Sequence, residues 1–230
     1  MKRLGRWLRG SLWLLFALFV GWQAWIFGQI WWWRDHPPES SSFMRLRLAE
    51  LRLKNPQASL AHHWVPYGRI SDHLKRAVVS AEDERFVTHD GFDWQGIQNA
   101  LEKNQRRGRA LAGGSTISQQ LAKNLFLSPS RSYVRKGEEA LITLMIESLW
   151  SKERILEVYL NVAEWGEGIF GIGAASWHYF DIEADRLGPA ESAKLAVMLP
   201  NPRQYGRHFG PEQTARATRL LTYMSKTKIP

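Results

Sequence analysis

The strongest constraint on this chain lies at its N-terminus. Ser11 to Trp33 carries no charged side chain, and Gln23 and Gln29 are its strongly polar ones. A bilayer core takes roughly 20 apolar residues in helical form, so the stretch is long enough to cross one. Lys2, Arg3, Arg6 and Arg9 precede it with no acid among them, and the mixed Arg34-Asp35-His36 follows. That asymmetry predicts a basic cytoplasmic tail (1–10), a single-pass anchor (11–33) and a body outside the cytoplasm. Trp31, Trp32 and Trp33 fit an aromatic belt at the outer interface. The rival reading is a cleaved signal peptide with Leu12 to Val20 as its apolar region. Against it, Trp22-Gln23-Ala24-Trp25 has no small-x-small cleavage pattern, and apolar residues continue past it.

An anchored body of this kind restricts the partners. The formal charge is +9 and there is no cysteine, which excludes disulfides and Cys-based metal sites and calls for an anionic partner. Outside the cytoplasm that partner is a membrane surface or a phosphorylated substrate, not nucleic acid. Pro37-Pro38-Glu39-Ser40-Ser41-Ser42 reads as a linker (34–42), leaving 43–230 as one domain.

Within that domain, Phe43 to Lys54 alternates Leu46, Leu48, Leu51 and Leu53 with arginines. The alternation is strand-like, and an amphipathic helix near the membrane is the other reading. From Ser71 the pattern is helical, with Ser71 as N-cap and Leu74, Ala77, Val78 and Ala81 on one face. Trp94, Ile97 and Leu101 mark a second helix, ended by the basic loop Arg106-Arg107-Gly108-Arg109. Ser115 is placed to cap a third, with Ile117, Leu121 and Leu125 inward, and Val134 to Trp150 is a long fourth. Glu153 to Asn161, Phe170 to Tyr179, Pro189 to Leu199 and Pro211 to Met224 supply more. No segment alternates convincingly as a strand, so the expected fold is mainly α.

Three motifs carry chemistry. Glu82 ends an apolar helix face just before Phe86, where burial would raise its pKa and suit it to proton transfer. Asp83 and Glu84 flank it, and His89 is placed to fix the turn to Gly91. Read alone, this is also a solvated acidic helix end. Gly113-Gly114-Ser115-Thr116 then opens a helix that projects Gln119, Gln120 and Lys123, and its first N–H groups could meet an anion. It lacks the Lys-Ser/Thr ending of a Walker loop. Third, Arg131, Arg135 and Glu139 step by four residues along one helix face, beside Lys136. On a surface such a ladder is worth little. The spacing favours Glu139 over Glu138 as the inward acid.

Taken in order, these segments resemble the glycosyltransferase domain shared by class A penicillin-binding proteins and monofunctional peptidoglycan transglycosylases. The match runs through Glu82-Asp83-x-x-Phe86-x-x-His89-x-Gly91 and Gly113-Gly114-Ser115-Thr116-Ile117-x-Gln119-Gln120-x-x-Lys123-Asn124. It continues through Arg135-Lys136-x-x-Glu139 and Ser151-Lys152-x-x-Ile155-Leu156-Glu157-x-Tyr159-Leu160-Asn161. The resemblance implies a lysozyme-like α-helical lobe with a small membrane-facing jaw, held at the outer face of a bacterial inner membrane. It implies polymerisation of lipid II into β-1,4 glycan strands, with Glu82 as general base and Glu139 as second catalytic carboxylate. Lys123, Arg131 and Arg135 would neutralise charge developing on the pyrophosphate leaving group, Gln119 and Gln120 would line the groove, and Lys136, Ser115 and Thr116 would also bind substrate. It further implies the growing glycan, inner-membrane lipids and other cell-wall synthesis proteins as partners, and allows a divalent cation, Mg²⁺ or Mn²⁺. Gly173 departs from the helix-forming residue expected there and would loosen its helix. The lone Ser-x-x-Lys, at Ser225-Lys226-Thr227-Lys228, has no partner motifs, so no transpeptidase activity is expected. The alternatives are a membrane-anchored lytic muramidase, which also uses a carboxylate in a sugar cleft, and a non-catalytic cell-wall scaffold.

Overall fold

A computed structural model describes residues 2–107, 114–130 and 132–230. The basic loop after Arg107 and the first rung of the ladder, Arg131, lie outside the described residues. The first helix, α1 (Lys2–Trp33), holds a span of 25 residues, Arg9–Trp33, that is long and apolar enough to cross a membrane. Leu12 to Leu15, Leu18 and Trp25 are exposed along it, as expected of a surface meant for lipid.

The rest of α1 is docked. Ile26 and Ile30 are fully buried and belong to the body's hydrophobic cluster. The indole of Trp150 donates to the carbonyl of Ile30 at 2.8 Å. Arg154 donates to the carbonyls of Trp33 and His36 at 2.7 and 2.6 Å, satisfying acceptors that a helix end leaves open. Trp33 faces inward against Phe126, unlike a belt residue, while Trp31 and Trp32 are exposed.

The linker is shorter than expected, because Ser41 is buried and caps α2 (Ser42–Lys54), accepting from the Met44 N–H at 3.1 Å. The strand reading of 43–54 is therefore corrected to helix. Leu, Arg, Glu, Lys and Ala are strong helix formers, and the alternating leucines need not all be inside: Leu53 is 89% exposed.

Five helices build the centre: α3 (Asp72–Glu82), α5 (Ile117–Phe126), α6 (Tyr133–Leu149), α7 (Lys152–Val162) and α9 (Pro189–Met198). In α7 the run Val158 to Val162 is buried on every side, marking it as the central helix. α5 packs on α6 and α7, α3 on α9, and α1 on α6. Around them lie α4 (Trp94–Arg107), α8 (Ile172–Phe180), α10 (Pro202–Arg207) and α11 (Pro211–Tyr223), the last packed on α9 and α3.

Among the described residues three strands also form, β1 (Ala61–His62), β2 (Glu164–Gly166) and β3 (Ile169–Phe170), in the order β1-β3-β2, with β1 parallel and β2 antiparallel to β3. At two or three residues each they are too short to show alternation in sequence. The mainly α expectation holds. Gly173 does the opposite of loosening α8: a Cβ there would meet the carbonyl oxygen of His63 at 2.5 Å and Val65 at 2.8 Å. Its missing side chain is what lets the helix start pack against the chain leaving β1.

Candidate active site

Glu82 is the last residue of α3, held there by the buried face of Leu74, Ala77, Val78 and Val79. From α5, the Gln120 amide donates to its carboxylate at 2.8 Å, and from α7, the Tyr159 hydroxyl donates to the Gln120 carbonyl at 3.0 Å. Burial raises the Glu82 pKa; the Gln120 hydrogen bond and the charges of Arg216 and Lys123 pull it down, and burial wins. A carboxylate so placed is a stronger base than an exposed one. Burial also pushes the Tyr159 phenol well above its ordinary value, so it stays a neutral donor.

The turn after Glu82 is a clasp. His89 Nδ1 accepts from the Gly91 N–H at 3.2 Å, which leaves Nε2 to donate to Asp83 at 2.9 Å. Asp83 also accepts from the Ile117 N–H at 3.0 Å. Gly91, at φ +90°, passes its carbonyl to the Thr116 hydroxyl at 2.7 Å, and a Cβ would strike Thr143 at 2.8 Å. The end of α3 is thereby fastened to the start of α5.

This arrangement corrects three expectations. The N-terminus of α5 already holds an anion, because Asp83 takes the N–H and dipole that a substrate phosphate was expected to use. The cap is Thr116, not Ser115, in a reciprocal box with Gln119. Gln119 is accordingly buried, its carbonyl on the Thr116 N–H at 3.1 Å, so it positions the helix and does not line the groove.

On α6, Glu139 is 2% exposed, with Arg135 on one oxygen at 2.5 Å and Lys136 on the other. Lys136 also reaches Ser115 at 3.4 Å. Glu138 points the other way and accepts from the indole of Trp22 on α1 at 2.6 Å. Lys123, half-buried on α5, has its pKa lowered by burial; Glu139 and Glu82 act to raise it, Arg135 and Lys136 to lower it. The two carboxylates and three cations therefore share one field.

Two cavities flank the hydrogen-bonded Glu82–Gln120 pair, one lined by each residue. One, of about 330 Å³, is lined by Glu82, Asn99, Ser115 and Thr116. The other, of about 280 Å³, is lined by Gln120, Lys123, Tyr159, Phe43 and Arg203. Sequence reasoning placed Glu82, Gln120, Lys123 and Glu139 in this region but gave no role to Tyr159, Phe43 or Arg216. Their contacts are long-range, and only Tyr159 left a signal, its place on an apolar helix face.

The donor set does not fit a resident divalent cation. Both oxygens of Glu139 are taken by cations, and among the described residues no three His, Asp or Glu side chains converge on a metal position.

A half-buried carboxylate of raised pKa beside a cationic, polar cleft, on an α-helical body with a membrane-length helix, defines a class. The chain belongs to the transglycosylase family, whose model matches residues 50–225. Among its relatives, the biosynthetic peptidoglycan transglycosylase of Azoarcus sp. (strain BH72) is 64% identical over 230 residues, covering all of both chains. That of Aromatoleum aromaticum is 64% identical over 226 residues, 97% of this chain and 98% of its own. That of Dechloromonas aromatica is 58% identical over 231 residues, again covering both chains in full.

Proposed function

We propose that this chain is a peptidoglycan glycosyltransferase that polymerises lipid II into β-1,4 glycan strands. Glu82 takes the proton of the acceptor sugar's 4-hydroxyl. That oxygen forms a bond to C1 of the donor as the bond from C1 to the pyrophosphate oxygen breaks. The configuration inverts from α to β, and undecaprenyl pyrophosphate leaves with the bonding electron pair. Lys123, Arg135 and Lys136 stabilise the charge that develops on it, an electrostatic role that side chains of this kind perform best in a partly desolvated cleft. Glu139 keeps Arg135 and Lys136 in place, and no step in this reading runs through a metal ion.

The observation that carries the reading is the Tyr159–Gln120–Glu82 chain of hydrogen bonds, which holds a raised-pKa carboxylate in the wall of one cavity while Gln120 and Tyr159 line the other. The apolar helix and its basic leading residues support an inner-membrane site with the N-terminus cytoplasmic, where enzyme and lipid-linked substrate share one surface. Purified full-length protein incubated with lipid II should yield polymer, and incubated with sacculi should release nothing. Soluble muropeptides from sacculi without polymer from lipid II would favour the lytic reading.

A further inference from the structure

Lys123 is unusual among the cations of the cleft. It makes no hydrogen bond or ion pair among the described residues, and its ammonium lies over an aromatic face, 5.8 Å from the ring centroid of Phe43. Phe43 stands in the first turn of α2, ahead of the 50–225 stretch matched by the family model. α2 packs on α5, and with Leu46 and Arg47 it walls the cavity that Lys123 enters.

The acids that could compete for Lys123 on this side are already engaged. Arg47 binds Glu164 through two hydrogen bonds at 2.8 and 3.1 Å and also pairs with Glu50. Glu139 is held by Arg135 and Lys136, and Glu82 by Gln120. Arg203 from α10 and Tyr159 from α7 complete the wall and offer no negative charge.

We infer that Phe43 is a positioning residue for Lys123. Its ring holds the ammonium charged and aimed into the cleft without an anion that would rival the substrate's pyrophosphate. A ring face attracts a cation at this distance while leaving the rest of its charge free. A carboxylate in the same place would hold the cation as firmly but would have to be displaced at each turnover. This role rests on the proposed donor chemistry, since it gives a use for an unpaired lysine.

The test follows the titration of Lys123 directly. Full-length protein in detergent micelles, labelled at lysine Cε and Nζ, is titrated by NMR, with Lys123→Arg assigning the signal. Phe43→Leu keeps apolar cover but removes the ring, and should lower the Lys123 midpoint by about half a pH unit. Phe43→Tyr should restore it, and the alkaline limb of lipid II polymerisation should move with both. An unchanged midpoint in Phe43→Leu, or an equal shift in both variants, overturns the inference. If the wild-type protein makes no polymer, the functional reading fails, while the NMR titration still decides whether Phe43 governs Lys123.

Discussion

Gln120 donates its side-chain amide to Glu82 at 2.8 Å while accepting from Tyr159 at 3.0 Å, so three helices meet in one chain of hydrogen bonds at the proposed base. The bond to Gln120 favours the ionised carboxylate against the burial that raises its pKa. Gln120→Leu removes that support and leaves the buried Tyr159 hydroxyl without its acceptor. The acid limb of the polymerisation rate profile should move to higher pH, with a smaller effect on the rate well above it.

The raised pKa of Glu82 also has a consequence for stability. Its ionised form is disfavoured in the fold, so the contribution of Glu82 is most favourable below the unfolded carboxylate pKa and is lost as pH rises through the folded one. Glu82→Gln is always neutral and keeps the acceptor for Gln120. Thermal unfolding should show it more stable than wild type at pH 7 to 8, with the difference vanishing towards pH 4.

Arg135 and Lys136 both pair with Glu139 but differ in cover: their side chains are 16% and 45% exposed. Arg135→Ala strips a buried carboxylate of its better-covered partner and should cost about 3 kcal/mol, measured by denaturant unfolding. Lys136→Ala should cost less, about 1 kcal/mol, because the lysine itself is half open to solvent and Arg135 still holds the carboxylate. Lys123, having no carboxylate partner, gives the cleaner probe of donor chemistry. Lys123→Ala should cut the polymerisation rate by at least tenfold while leaving the unfolding midpoint nearly unchanged.

The docked half of α1 predicts that this membrane-length helix is part of the fold. Trp22→Phe keeps the apolar ring system but loses the N–H to Glu138, and should lower stability in detergent by about 1–2 kcal/mol. Deleting residues 1–33 should cost more, since it uncovers the surface under Ile26 and Ile30 and removes the carbonyls that Trp150 and Arg154 use. Thermal melts of the three proteins in one detergent give the comparison.

Much of this was legible in the sequence because it is local. The helix face around Ala77, the cap at Ser71 and the inward choice of Glu139 over Glu138 all follow from residue types and spacings within one helix. What was misread depends on contacts distant in sequence. The leucine alternation of 43–54 looked like a strand because nothing local shows that Ser41 is buried as a cap or that Arg47 meets Glu164. The glycine-led start of α5 looked like an open anion site because Asp83, 34 residues upstream of Ile117, was not visible as its occupant. Gly173 looked like a flaw because the backbone it must clear, at His63, comes from another element.

The central claim is that Glu82 is the base for glycan polymerisation. The most direct measurement is polymer formed from lipid II by full-length Glu82→Gln beside wild type, with both proteins checked for matched folding by circular dichroism. The account predicts a folded variant whose polymerisation falls to background. Polymer at a rate near that of wild type would contradict it.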